Sequence, residues 1–147
     1  MKLYLYISIL IILCSLNSLH VYSNPIGWDQ HVRVKGTIYC GGEPMEDVRV
    51  QLWERDLISR DDFLGETYTD EDGFFQVEGV ERELFTIQPY ITIRPKCLSV
   101  RKGNSKCYKT FRLQVGPKAI SITNEKRYEV FNNIEMTKDY RDQKNVC

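Results

Sequence analysis

The sequence predicts an all-β domain built as two packed sheets and braced by disulfides. Three observations predict it. Short stretches of alternating apolar and polar residues recur along the chain, separated by segments rich in Gly, Pro, Asn and Asp. No stretch of helical period reaches convincing length. Four cysteines remain once an N-terminal export signal is removed, an even number that suits two bridges in an oxidising compartment.

At the N-terminus, Lys2 precedes an apolar run from Leu3 to Cys14, and a more polar stretch ends in Val21-Tyr22-Ser23. These are the three regions of a secretory signal peptide, with the cut after Ser23. The apolar run is about a dozen residues, short of the roughly 20 that a bilayer span needs. No transmembrane segment is expected, and the expected location is secreted, extracellular. Taking residues 1–23 from the 147 leaves 124, enough for one domain with a core. The expected organisation is a signal peptide at 1–23, one β-sandwich domain at 24–139 and a C-terminal tail at 140–147. The cut also removes Cys14 and His20, leaving Cys40, Cys97, Cys107, Cys147 and a single histidine, His31.

Val32, Val34, Ile38 and Cys40 alternate with Arg33, Lys35, Thr37 and Tyr39, the period of a half-buried strand. Turn residues follow in Cys40-Gly41-Gly42-Glu43-Pro44. Val48, Val50 and Leu52 alternate with Arg49, Gln51 and Trp53 in a second strand, and Leu64 to Thr69 reads as a third. Asp70-Glu71-Asp72-Gly73 is a turn whose glycine supplies a positive φ, ahead of a strand from Phe74 to Glu78. Further strands are expected at Tyr90 to Arg94, Tyr108 to Val115 and Tyr128 to Met136. In the last of these, Tyr128, Val130, Ile134 and Met136 share a face. Two stretches stay open: Gly116 to Arg127 holds a weak strand around Ile120 and Ile122 or a short helix, and Asp56 to Phe63 is a loop or one helical turn.

Four cysteines allow three pairings. The preferred one joins Cys97 to Cys107 across a short loop and Cys40 to Cys147. A zinc site would favour a close CxxC pair, which the chain lacks, so no metal is expected.

The strand order and turn residues resemble the nematode transthyretin-like family. The matching pieces are Val34-Lys35-Gly36, Cys40-Gly41-Gly42-Glu43-Pro44 and Val48-Arg49-Val50-Gln51-Leu52-Trp53-Glu54, followed by Asp61-Asp62-Phe63-Leu64 and Thr69-Asp70-Glu71-Asp72-Gly73-Phe74-Phe75. Glu83-Leu84-Phe85-Thr86-Ile87-Gln88-Pro89 and Ile91-Thr92-Ile93 complete the set, ahead of Cys97 and Cys107. The pieces span residues 32 to 136. The resemblance implies a prealbumin-like, Ig-like two-sheet sandwich and an extracellular protein. The family often carries a histidine two residues before its second cysteine; Pro95 stands there.

The enzymes of the wider superfamily, the 5-hydroxyisourate hydrolases, use paired histidines, an arginine and a C-terminal Tyr-Arg-Gly-Ser. Here Tyr140-Arg141 continues into Asp142, Gly-Ser is missing, and His31 alone cannot build a two-histidine relay. The sequence therefore predicts no enzyme and no cofactor, with Tyr140-Arg141 in a solvated tail. Asp70-Glu71-Asp72 lacks the ligand spacing and flanking helices of an EF-hand. No nucleic-acid motif is present.

Charge is balanced overall and uneven locally. Between residues 43 and 84 stand 14 acids and four arginines; between 94 and 127, ten bases and one acid. Arg94, Lys96, Arg101, Lys102, Lys106 and Lys109 cluster around Cys97 and Cys107 with no acid among them. This basic hairpin is the candidate anion-binding site, and its expected partners are anionic phospholipid head groups or glycosaminoglycans. Another face would meet an extracellular or cell-surface protein. The competing reading is that the acidic and basic segments neutralise one another across the sheets. The alternative functions are a carrier of a small apolar ligand and, ranked below it, a 5-hydroxyisourate hydrolase-like enzyme.

Overall fold

The computed structural model describes residues 26–94, 97, 99–102 and 105–146; the expected signal peptide, Lys96 and Cys147 lie outside them. Eleven strands are described: β1 (Trp28–Cys40), β2 (Glu43–Pro44), β3 (Arg49–Glu54), β4 (Asp62–Tyr68), β5 (Phe74–Glu83), β6 (Pro89–Arg94), β7 (Ser99–Lys102), β8 (Ser105–Gln114), β9 (Ile120–Ser121), β10 (Glu129–Glu135) and β11 (Lys144–Val146). They form two sheets packed as a sandwich. One turn of 3-10 helix, Pro117–Ala119, precedes β9, so the open stretch after β8 holds both a short helix and a weak strand.

β1 is the axis of the first sheet. β5 runs antiparallel along one edge, from Trp28↔Glu83 to Thr37↔Phe74, and β2 extends that edge at Tyr39 and Cys40. On the other edge β9 pairs with His31 and Val32, and β10 runs parallel from Val34↔Glu129 to Tyr39↔Glu135. The second sheet has the order β11-β8-β6-β3-β4, all antiparallel. β8 overshoots β6, and its first half pairs with β7 instead.

The alternation that predicted the strands also fills the space between the sheets. Val32, Val34 and Ile38 of β1 and Phe75 and Val77 of β5 meet Val50 and Leu52 of β3, Ile91 and Ile93 of β6 and Phe111 of β8. Each buried side chain of this size contributes about 1.5–3 kcal/mol of transfer free energy. β10 departs from simple alternation. Gly36 stands opposite Phe131 but Ile38 opposite Ile134, so β10 carries one extra residue, and Asn133 takes φ 55° there. The bulge switches the inward face: Phe131 packs on the core before it, Ile134 and Met136 after it, and Val130 is exposed. The expected face of Tyr128, Val130, Ile134 and Met136 is therefore broken in two. Gly36 permits the approach, because a Cβ there would collide with the Phe131 carbonyl and meet the Phe75 ring at 3.0 Å.

The expected disulfides are corrected. Cys40, at the end of β1, is bonded to Cys97, just beyond β6, with 6.0 Å between the Cα atoms. The bond joins the two sheets, and a bridge across 57 residues is worth about 4 kcal/mol in the chain-entropy model. Register explains why Cys97–Cys107 does not form: Cys107 stands opposite Val100, three residues beyond Cys97. At about 3.3 Å per residue, that offset exceeds disulfide reach. With Cys40 engaged, Cys40–Cys147 is excluded as well. Cys107 is buried and itself disulfide-bonded, to neither Cys40 nor Cys97.

The tail expected from residue 140 is also corrected. Tyr140 packs edge-on against Phe111 at 5.0 Å between ring centroids and donates its hydroxyl to the Glu135 carbonyl at 3.1 Å. Beyond it, β11 pairs with β8 through Lys144↔Thr110. An aromatic ring over the core edge fixes the segment, which then covers a strand edge that water would otherwise solvate.

Candidate functional site

Strand direction sorts the functional candidates. β3 ends and β6 begins at the same end of the sandwich, where residues 55–61 and 84–88 form its loops. β7 and β8 make a hairpin that projects from the opposite end. In that hairpin Arg101 stands opposite Lys106 and Lys102 opposite Ser105. Arg94 is exposed at the end of β6. Lys109 is partly withdrawn from the set, its Nζ lying 3.5 Å from Asp139.

The acidic and basic segments do not cancel by direct pairing in the described part. Of the ion pairs there, Arg112–Asp61 at 3.6 Å joins the two segments. Arg49–Glu66 lies within the acidic one and Arg127–Glu125 within the basic one. The acidic turn is spent on itself, since Asp70 Oδ1 accepts the amides of Asp72 at 3.1 Å and Phe74 at 2.8 Å.

Arg112 opens a feature that the sequence did not announce. Its guanidinium lies over the Tyr90 ring, 3.9 Å from the centroid, and donates through Nη2 to the Tyr90 hydroxyl at 3.1 Å. Tyr90 donates in turn to Asp61 Oδ2. Burial first, then the bond to Asp61, pushes the Tyr90 phenol up to about 12, so it stays a neutral donor. Two adjoining grooves, about 440 and 290 Å³ in volume, lie on the outer face of the second sheet; all three residues line the larger and Arg112 the smaller as well. Thr92, Thr110 and Arg112 belong to both. Trp53 stands in the wall, its ring edge-on to Phe63, and its indole N–H is the buried side-chain donor without an acceptor among the described residues.

The loop end has different chemistry. A cleft of about 390 Å³ runs between residues 54–58 and 83–88. Ile58 is 98% exposed and Phe85 81%, with Leu57 and Leu84 beside them. Both loops are fixed from beneath. Buried Gln30 donates to the Phe85 carbonyl at 2.6 Å and accepts the Ile87 amide at 3.2 Å. Asp56 accepts the Ile58 amide at 2.8 Å and the Ser59 hydroxyl at 2.6 Å, which hold its carboxyl below the ordinary range. Glu54, buried at the floor, is pushed up by desolvation, with Asp56, Glu83 and Asp62 acting in the same direction. Rigidly presented apolar side chains of this kind mark interaction surfaces.

His31 lies within β1, opposite Val80 on one side and Ser121 on the other. Among the described residues no group of three or more His, Cys, Asp or Glu is arranged to hold a metal ion.

A family model described as the transthyretin-like family matches residues 35–116, from β1 to just past β8. Transthyretin-like protein 1 of Caenorhabditis elegans is 37% identical over 114 residues, covering 73% of this chain and 70% of its own length. Transthyretin-like protein 33 of the same organism is 30% identical over 144 residues, covering 96% and 94%. Among solved structures, a 9R-lipoxygenase from Cyanothece PCC8801 aligns over 72% of this chain and 16% of its own, with a TM-score of 0.44 and 14% identity, a likeness too slight to carry an argument.

Proposed function

The chain belongs to the transthyretin-like family, and on that footing we propose that it is a secreted, non-enzymatic bridging protein. Its basic hairpin engages an anionic surface, phospholipid head groups or glycosaminoglycan, and its apolar loop end meets an extracellular protein partner. The observation that carries this reading is the separation of two unlike surfaces to opposite ends of a rigid sandwich. Arg94 ends β6 at one end, where Arg101, Lys102, Lys106 and Lys109 belong to the β7–β8 hairpin, and the exposed Leu57, Ile58, Leu84 and Phe85 crown the other. Opposite ends allow both partners to be held at once, which one shared patch would not. The absence of a paired histidine speaks against a hydrolase. The side chains filling the space between the sheets speak against a ligand carried inside.

The test is retention of the pure protein on immobilised heparin and on vesicles containing phosphatidylserine. Replacing Arg101, Lys102 and Lys106 by glutamate should abolish retention on both at physiological salt and leave the circular dichroism spectrum unchanged. Retention equal to that of the unmodified protein would refute the reading.

A further inference from the structure

We propose that the outer face of the second sheet is a binding groove for a single chain of sulfated glycan. The proposal rests on the anionic-surface reading above and names the ligand class it takes. Arg55, Arg60, Arg94, Arg112, Arg141 and Lys144 line the two adjoining grooves, against Asp61 and Asp142. They come from the β3–β4 loop, β6, β8, the segment after Tyr140 and β11, so the positive lining exists only in the folded chain. Asp61 is already engaged by Tyr90 and Arg112.

Shape chooses between the two anionic partners. Arg112 is recessed, with 33% of its side chain exposed, between the 59–61 loop on one side and residues 141–144 on the other. A bilayer presents a plane and stops at the rims, whereas one extended polysaccharide strand enters a groove. Beyond its stacking on Tyr90, the two polar contacts of Arg112 within the protein run through Nη2, and a guanidinium has five N–H donors arranged to meet the paired oxygens of a sulfate or carboxylate. Gln51, Thr92 and Thr110 add side-chain groups suited to sugar hydroxyls. Thr110 lies on β8 four residues beyond Lys106, so a strand leaving the groove continues along the basic hairpin. The groove thus selects a linear sulfated ligand that the hairpin alone would attract without choosing.

The experiment titrates a size-defined heparin oligosaccharide and, separately, phosphatidylserine vesicles. Tryptophan fluorescence is the readout for the oligosaccharide, since Trp53 stands in the groove wall. The groove variant carries Arg55→Gln, Arg141→Gln and Lys144→Gln, which leaves Tyr90, Asp61 and Arg112 in place and should keep the unmodified melting temperature. Its oligosaccharide affinity should fall on the order of 100-fold, as three charge-assisted contacts are lost, with vesicle retention unchanged. Arg112→Gln provides a second variant and should lose oligosaccharide affinity without loss of vesicle retention. Unchanged oligosaccharide affinity in both variants overturns the groove and leaves the hairpin reading standing, as does unmodified protein that binds vesicles and ignores the oligosaccharide. Failure of the unmodified protein to bind either probe overturns both.

Discussion

Arg33 and Arg112 occupy like positions in the two sheets and meet opposite fates. Each takes an outward position in the alternation of its strand, between two inward apolar neighbours. Arg33 is 8% exposed. It donates to Glu78 Oε2 at 2.9 Å, to the Glu125 carbonyl at 3.1 Å and to Asn124 Oδ1, beneath the loop that precedes β10. Arg112 has a tyrosine and one aspartate for company and lines open grooves. The first sheet thus uses its outward cation to fasten a loop, and the second leaves its own for a ligand. An arginine's sequence context does not distinguish these roles; the number of acceptors the fold brings to it does.

The largest effect that tests this contrast comes from the bond tying the two faces together. Cys40→Ser with Cys97→Ser should cost about 4 kcal/mol in urea unfolding while the folded fraction keeps its oligosaccharide affinity. Lost affinity in that fraction would mean the grooved face depends on the first sheet. Next comes Arg33→Met, which strands the acceptors of Asn124 and Glu125 and should cost about 2–3 kcal/mol with heparin retention unaltered. A stable variant that no longer binds heparin would reverse the roles assigned to the two arginines. The smallest effect concerns acid. Amide hydrogen bonds from Thr137 and Gly41, then Gly42, hold the Glu135 carboxyl down to about 2, from an ordinary 4.5. Its folded value is depressed, so its contribution is present above pH 4.5 and is lost as pH falls from there toward 2. The unfolding midpoint of Glu135→Gln should therefore vary less than that of the unmodified protein between those pH values, and an identical profile would rule out the turn-fastening role.

The parts legible in the sequence are those where one strand face is buried. The alternations in Val32 to Cys40 and Val48 to Trp53 appear as β1 and β3, and the Phe74 strand runs on to Glu83 because its whole length has β1 to pair with. β7 was missed because Ser99-Val100-Arg101-Lys102 holds a single apolar residue and becomes a strand by pairing with β8. β11 was missed for the same reason, being polar at Lys144 and Asn145 and defined by its edge position. Of the candidate site, the basic hairpin could be read because its residues are neighbours in the chain. The groove could not: Arg55, Arg112 and Arg141 are brought together by register alone. The disulfide partners fell between these cases, since composition announced bridges but only strand offset decides which sulfurs meet.

The parallel pairing of β1 with β10 carries a consequence for how the chain reaches its native state. Val34 and Glu129 are neighbours across that seam, though nearly the whole domain separates them in sequence. Loop closure over such a span is entropically expensive, and folds dominated by non-local pairs form slowly. While β10 is still undocked, most of that border of the central strand shows bare amides and carbonyls, the kind of edge that recruits strands from other molecules. A cell making this protein has reason to shield that border until β10 docks, and refolding yield in vitro should fall as protein concentration rises.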